Sequence, residues 1–229
     1  MASPQKIRSL KKMPHAQRQN EPQKKSTREK ILEAATLVFS DYPYHSASIR
    51  MIGKAAKIEH PLVNYYFPSK AALFEEVIQH VADEYYQANI TWFDGLEKLD
   101  PEPGFSLYID RFFNFAAKHP GAIRIIALNL VQAEEHDVIP GYEMVRNFFD
   151  RTKRTLKNAI PMQGTADNIE MFIHSFNTLA INYLGASTYY AGILELKPGS
   201  RQYLKWVKET MMFVFLPQLK QIIKGGKQD

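Results

Sequence analysis

Two short apolar runs separated by a turn of about four residues constrain this chain more than any other feature. They lie in Ser48–Lys70, which reads SIRMIGKAAKIEHPLVNYYFPSK. Ile49, Ile52, Ala55 and Ala56 recur at helical spacing, as do Leu62, Val63, Tyr66 and Phe67, with a hinge around Lys57-Ile58-Glu59 between them. Two short helices joined by a tight turn form a helix-turn-helix. The second helix then carries His60, Asn64 and Tyr65 off its packing face, and such side chains suit base edges and phosphate oxygens.

The charge distribution agrees with a nucleic-acid partner. The whole chain carries a net +5. Its first 30 residues hold nine Lys and Arg against Glu21 and Glu29, so the remainder is slightly acidic. A basic arm on an acidic body points to an electrostatic partner near the N-terminus. Residues 1–24 show no apolar period and read as a disordered arm.

Order is expected from Ser26. Ser26-Thr27-Arg28-Glu29 is a capping box, and Ile31, Ala34, Ala35 and Val38 give the helix after it an apolar face. Pro43 ends that helix and Ser48 caps the next. Pro68-Ser69-Lys70 starts a long helix reaching to about Leu96. Asp100-Pro101-Glu102-Pro103-Gly104 reads as a break. Helical spacing returns over Leu107–Ala117, Ala122–Glu135, Met144–Ile160, Asn168–Leu194 and Ser200–Ile223. No stretch alternates with period two. The expected fold is all-α, with about nine helices in a protein of 229 residues.

Composition narrows the chemistry. The absence of Cys removes thiol nucleophiles, thiolate metal sites and disulfides and fits a cytoplasmic setting. No apolar run is long enough to span a bilayer, and no secretory leader is visible. Phosphate-loop, nucleophile-elbow and zinc-protease motifs are missing. His136 with Glu134, Glu135 and Asp137 reads as a solvated polar helix end rather than a metal site. The chain is therefore expected to be neither an enzyme nor a metal or cofactor binder.

Thr27–Phe74, from TREKILEAATLVF through NYYFPSKAALF, resembles the DNA-binding domain of the TetR family of transcriptional regulators. The run Tyr65–Leu73 carries the most specific part of the likeness. The resemblance implies a helix-turn-helix domain over residues 25–72 and a helical effector-binding and dimerisation domain over residues 73–229. It implies a dimeric repressor on a palindromic double-stranded DNA operator, released by a small molecule. Ser48, Arg50, His60, Leu62, Asn64, Tyr65, Tyr66 and Lys70 are the expected DNA-facing residues, although Tyr66 also has the spacing of a core residue. Three positions depart from the family pattern. Gly is common at Pro43, usual at Lys57, and Ser is usual at Glu59. Lys57 is then expected to adopt a left-handed conformation or a changed turn.

In the body, an apolar cavity with a few placed amides is how ligand sites are built. Phe112, Phe115, Asn129, Phe148, Phe176 and Asn177 are the expected walls, for an effector that is apolar or aromatic and at most weakly charged. Ala180, Tyr183, Leu184, Ser187, Met211 and Val214, on the last two long helices, are the expected dimer interface. An all-α small-molecule binder or enzyme with a vestigial DNA head is the alternative, and operator binding separates the two.

Overall fold

The computed structural model describes residues 25–130 and 139–224, with the side chains at 130, 142, 145, 146, 148, 149 and 224 outside the description. The basic arm and the group around His136 lie outside the described residues. Ten α-helices and no strand occur among the described residues: α1 (Thr27–Asp41), α2 (Ile49–Ala56), α3 (His60–Tyr66), α4 (Lys70–Trp92), α5 (Pro101–Lys118), α6 (Pro120–Leu130), α7 (Tyr142–Ala159), α8 (Ala166–Gly185), α9 (Ser187–Ile193) and α10 (Arg201–Lys224). A single 3-10 turn, Leu96–Lys98, joins α4 to α5.

The helix starts follow local chemistry. Ser26, Ser48, Ser69 and Thr165 each accept a backbone N–H two or three residues into α1, α2, α4 and α8, which satisfies one of the otherwise unpaired first-turn donors. The capping box at Ser26 and Glu29 is complete in both directions.

Two boundaries differ from the expectations above. The Asp100–Gly104 segment does not interrupt a helix but begins one. Pro101 is the first residue of α5 and Asp100 its cap position, and a proline there loses no hydrogen bond because the first-turn N–H groups lack partners anyway. The expected Asn168–Leu194 helix is two. At Gly185 an added Cβ would lie 2.6 Å from the Cβ of Ala127, so the backbones of α6 and α8 meet there. Ala186 then takes φ −102° and ψ 31°, which ends α8 and turns the chain into α9.

Two apolar clusters organise the molecule. One holds Ile31, Phe39, Ile52, Val63, Phe67 and Phe74 and continues into α4 through Val77 and Val81 and into α6 through Ile125. The other gathers Tyr85, Trp92, Ile109, Phe112, Phe176, Tyr203 and Met211 from α4, α5, α8 and α10. Helix α4 supplies side chains to both, so the three small helices and the larger bundle share one long element.

Candidate nucleic-acid interface and body cavity

The helix-turn-helix depends on its turn. Lys57 closes α2 with φ 55° and ψ 44°. Its N–H donates to the carbonyls of Gly53 and Lys54, and the N–H of Ile58 donates to Gly53 at 2.9 Å. The left-handed conformation costs a non-glycine residue roughly 1–2 kcal/mol, offset here by the carbonyls it satisfies. Gly53 is required by close approach, since a Cβ there would stand 2.8 Å from the carbonyl oxygen of Ile58. The Pro43 turn avoids positive φ altogether. Tyr42 is extended at φ −129° and ψ 131°, and the N–H groups of Ser46 and Ala47 both donate to the Pro43 carbonyl at 3.0 Å.

Helix α3 is held from beneath by Val63, which is fully buried, and at its end by Phe67. His60, Leu62, Asn64 and Tyr65 are exposed on its outer side, and Tyr65 is 80% exposed. Tyr66 is half-buried against the small-helix cluster and meets the Tyr65 ring edge-on at 5.3 Å. Asn64 Nδ2 lies 3.5 Å from His60 Nε2. Arg50 is exposed on α2. Ser48 caps α2 by accepting the N–H of Met51 at 3.3 Å.

Lys70 is placed differently from the other seven. Its ammonium donates to the carbonyls of Tyr44 at 2.9 Å and Ala47 at 3.1 Å, with that of His45 at 3.5 Å. It also sits 4.4 Å from the centroid of the Tyr44 ring. An ammonium has three donors, so these carbonyls and the ring occupy it. Its position makes it a clamp between α4 and the α1–α2 connection rather than an open phosphate ligand. Lys54 and Lys57, not among the DNA-facing residues expected from the sequence, are both exposed where α2 passes into the turn before α3. Their signal was positional: a cation on the last turn of α2 and one at its left-handed cap.

The small helices are tied to the body by polar contacts across long sequence separations. Arg28 pairs with Glu76 of α4 and lies 5.0 Å from the Phe67 ring centroid. Arg124 of α6 donates to the Ser40 carbonyl at 3.0 Å and faces Asp41 at 3.5 Å. Asn129 accepts the N–H of Tyr44 at 3.1 Å and donates to Ile125 at 2.8 Å. This corrects the expectation that Asn129 walls a ligand cavity, because both ends of its amide are engaged where α6 meets the α1–α2 connection.

The body does contain a largely apolar, part-open space lined by the α4–α5 connection. A cavity of about 190 Å³ lies among the α4–α5 connection, α5, α7, α8 and α10. Phe176 and Asn177 line it, as expected, together with Phe105, Tyr108, Thr152, Leu156 and Phe172. Phe112 and Phe115 are instead buried in the aromatic cluster around Tyr85 and Trp92 and are not among its lining residues. Phe148 belongs to α7, and its side chain lies outside the described residues. Burial pushes the Tyr108 hydroxyl far above its ordinary range, against a smaller lowering by Asn89. The Nδ2 of Asn89 donates to that hydroxyl at 3.3 Å. No group of three or more His, Asp or Glu gathers in reach of a metal ion among the described residues.

The expected dimer residues divide by face. Ala180 and Met211 are fully buried in the bundle core, so they cannot meet a second chain. Tyr183, Leu184 and Ser187 are half-buried, and Val214 is 37% exposed. The most exposed apolar side chains on α8 and α10 are Met171, at 60%, and Phe213, at 83%. A broad groove between these helices carries Met171, Thr178, Leu179, Asn182, Val214 and Gln218.

A helical body that holds a cavity stands behind an exposed helix-turn-helix. Residues 31–77 match the family model described as bacterial regulatory proteins, tetR family. The chain is 32% identical over 101 residues to the HTH-type transcriptional repressor NicS of Pseudomonas putida, covering 44% of this chain and 47% of that one. It is 34% identical over 64 residues to the probable HTH-type transcriptional regulator YttP of Bacillus subtilis, covering 28% and 29% of the two. The match thus spans less than half the length of these relatives. The fold is similar along nearly the whole chain to a TetR transcriptional regulator from Legionella pneumophila, with TM-score 0.63, 17% identity, and 85% and 100% of the two chains covered.

Proposed function

We propose that the protein is a dimeric, ligand-responsive DNA-binding regulator, acting as a repressor on a palindromic operator. The observation that carries this reading is the α3 surface. Val63 and Phe67 anchor the helix while His60, Leu62, Asn64 and Tyr65 stand free on its other side. Asn64 suits an adenine edge, Tyr65 and His60 suit phosphate oxygens, and Arg50 and Ser48 flank them from α2. Exposed Lys54 and Lys57 add positive charge at the end of α2, next to α3 in the chain. The basic residues of the first 24 positions extend the electrostatic attraction.

One α3 reads few bases, so two copies spaced by the DNA repeat are the physical solution. Exposed Met171, Phe213 and Val214 on α8 and α10 support pairing through these helices. A molecule in the body cavity reaches the head through packed elements. Thr152 and Leu156 of α7 line the cavity, the neighbouring Arg151 stacks 3.7 Å from the Tyr86 ring of α4, and α4 begins at the Lys70 clamp. The ligand acts only by binding one arrangement of these elements better than another. The protein works by binding and not by turnover.

Gel shift of the purified chain on DNA flanking its own coding region tests the reading. A shift that weakens steeply with salt is expected. No shift at low salt, with a molecule still bound in the cavity, favours a small-molecule binder with a vestigial head.

A further inference from the structure

The body cavity carries enough chemistry to say what it admits. Its walls are apolar and aromatic, chiefly Phe105, Phe172, Phe176 and Leu156. Among the described residues no Lys, Arg or His lines it, and the two charged ones that do, Glu97 and Asp100, are both acidic and exposed. Thr152 also lines it, is 4% exposed, and its hydroxyl has no hydrogen-bond partner. A buried hydroxyl without a partner is costly and calls for an explanation. A threonine hydroxyl can donate or accept, so a ligand atom of either kind satisfies it.

Size and charge then limit the ligand. An apolar cavity of roughly 150 Å³ accommodates benzene, so about 190 Å³ accommodates one aromatic ring with a short substituent. A carboxylate or phosphate there would find two carboxylates nearby and no cation among the described lining residues, which disfavours it.

We propose that this cavity takes a monocyclic, uncharged aromatic molecule bearing one hydrogen-bonding group, and that Thr152 binds that group. The proposal deepens the regulator reading above and rests on it for the consequence of binding. It also separates the cavity from a mere packing defect, which would take toluene and phenol alike and would be indifferent to the hydroxyl at position 152.

Titration calorimetry on the full chain tests it with phenol, toluene and benzoate as probes. Phenol is neutral at pH 7 and benzoate is not. Phenol is expected to bind the native chain at least tenfold more tightly than benzoate. Thr152→Val is expected to weaken phenol roughly tenfold and to leave toluene unchanged, as loss of one hydrogen bond requires. Thr152→Ser, which keeps the hydroxyl, is expected to retain phenol affinity within a few fold, and this comparison stands if the valine variant does not fold. Benzoate binding as tightly as phenol would overturn the proposal, as would failure of the native chain to bind phenol or equal phenol affinity in Thr152→Val. Gel shift of the ligand-free chain reads the regulator role separately: absence of DNA binding sinks that role while the calorimetric discrimination stands.

Discussion

The side-chain oxygen of Asn129 accepts the backbone N–H of Tyr44 at 3.1 Å, across 85 residues of sequence. The same amide donates to Ile125 within α6. One buried side chain thereby fixes the connection between α1 and α2 to a helix that also meets α8 at Gly185 and Ala127. Lys70 holds that connection from the α4 side. The segment that places α2 and α3 is therefore gripped by two helices of the body.

Replacing Asn129 with Leu removes the acceptor that its amide offers the Tyr44 N–H in a part-buried site. The expected loss is about 1–3 kcal/mol of stability, seen as a lower urea midpoint. DNA affinity in the folded variant is expected to respond less to a cavity ligand than in the native chain. Unchanged ligand response in gel shift would show that the Asn129 contact is not part of the coupling.

Lys57→Gly removes the left-handed strain at the turn. Part of the gain is cancelled by the greater freedom of glycine in the unfolded chain. A net stabilisation of up to about 1 kcal/mol is expected, read as a raised midpoint at unchanged denaturant slope. Gly53→Ala has the opposite sign, because its Cβ meets a backbone carbonyl rather than a yielding side chain.

Tyr65 is 80% exposed, so Tyr65→Ala is expected to change stability by less than about 0.5 kcal/mol while weakening operator binding. Arg50→Ala is expected to lower affinity and reduce the magnitude of the logarithmic salt slope by about one per site. Lys70→Ala is expected to behave differently, losing stability before it alters the salt slope, because its charge is spent within the protein. Paired melting curves and salt-series gel shifts separate the three.

Phe213→Asp puts a charge at the most exposed large apolar side chain of α10. If α8 and α10 form the dimer face, sedimentation is expected to show a shift to monomer with little loss of helix content. Burying a charge in that face is costly unless it finds a partner. A variant that stays dimeric places the interface elsewhere.

The α1 capping box gives an acid-side prediction. The N–H of Ser26 donates to the Glu29 carboxylate at 2.7 Å. That bond, then the Ser26 side chain, holds the carboxyl below its ordinary value. Because the folded value lies below the unfolded one, the stabilisation is present at neutral pH and is lost as pH falls through the folded value. Glu29→Gln is expected to flatten this part of the pH–stability curve, measured by thermal melts across the acid range.

Much of the fold was legible because its signals are local. Ser26, Ser48 and Ser69 cap the helices that their positions promised. Of the two outcomes expected for Lys57 in a glycine's usual place, a left-handed conformation or a changed turn, it adopts the first. Val63 and Phe67 lie inward and Tyr65 outward on α3, as the spacing implied. Asp100–Gly104 misled because proline breaks a helix interior but suits a first turn, and periodicity alone does not say which applies.

Residue order and local chemistry therefore settle most of the helices and the caps at Ser26, Ser48 and Ser69. They do not settle partners across space. Lys70 meets carbonyls more than 20 residues away, and nothing near it in the chain announces them. Helices α8 and α10 are apolar on more than one face, so Ala180 and Met211 turned inward and Phe213 outward according to which neighbours arrived to bury them. The cavity formed where Phe105, Phe172 and Phe176 left space beside Thr152, while the equally aromatic Phe112 and Phe115 filled theirs. An aromatic side chain has the same spacing whether it fills a core or walls a void, and packing between helices distant in sequence makes the difference.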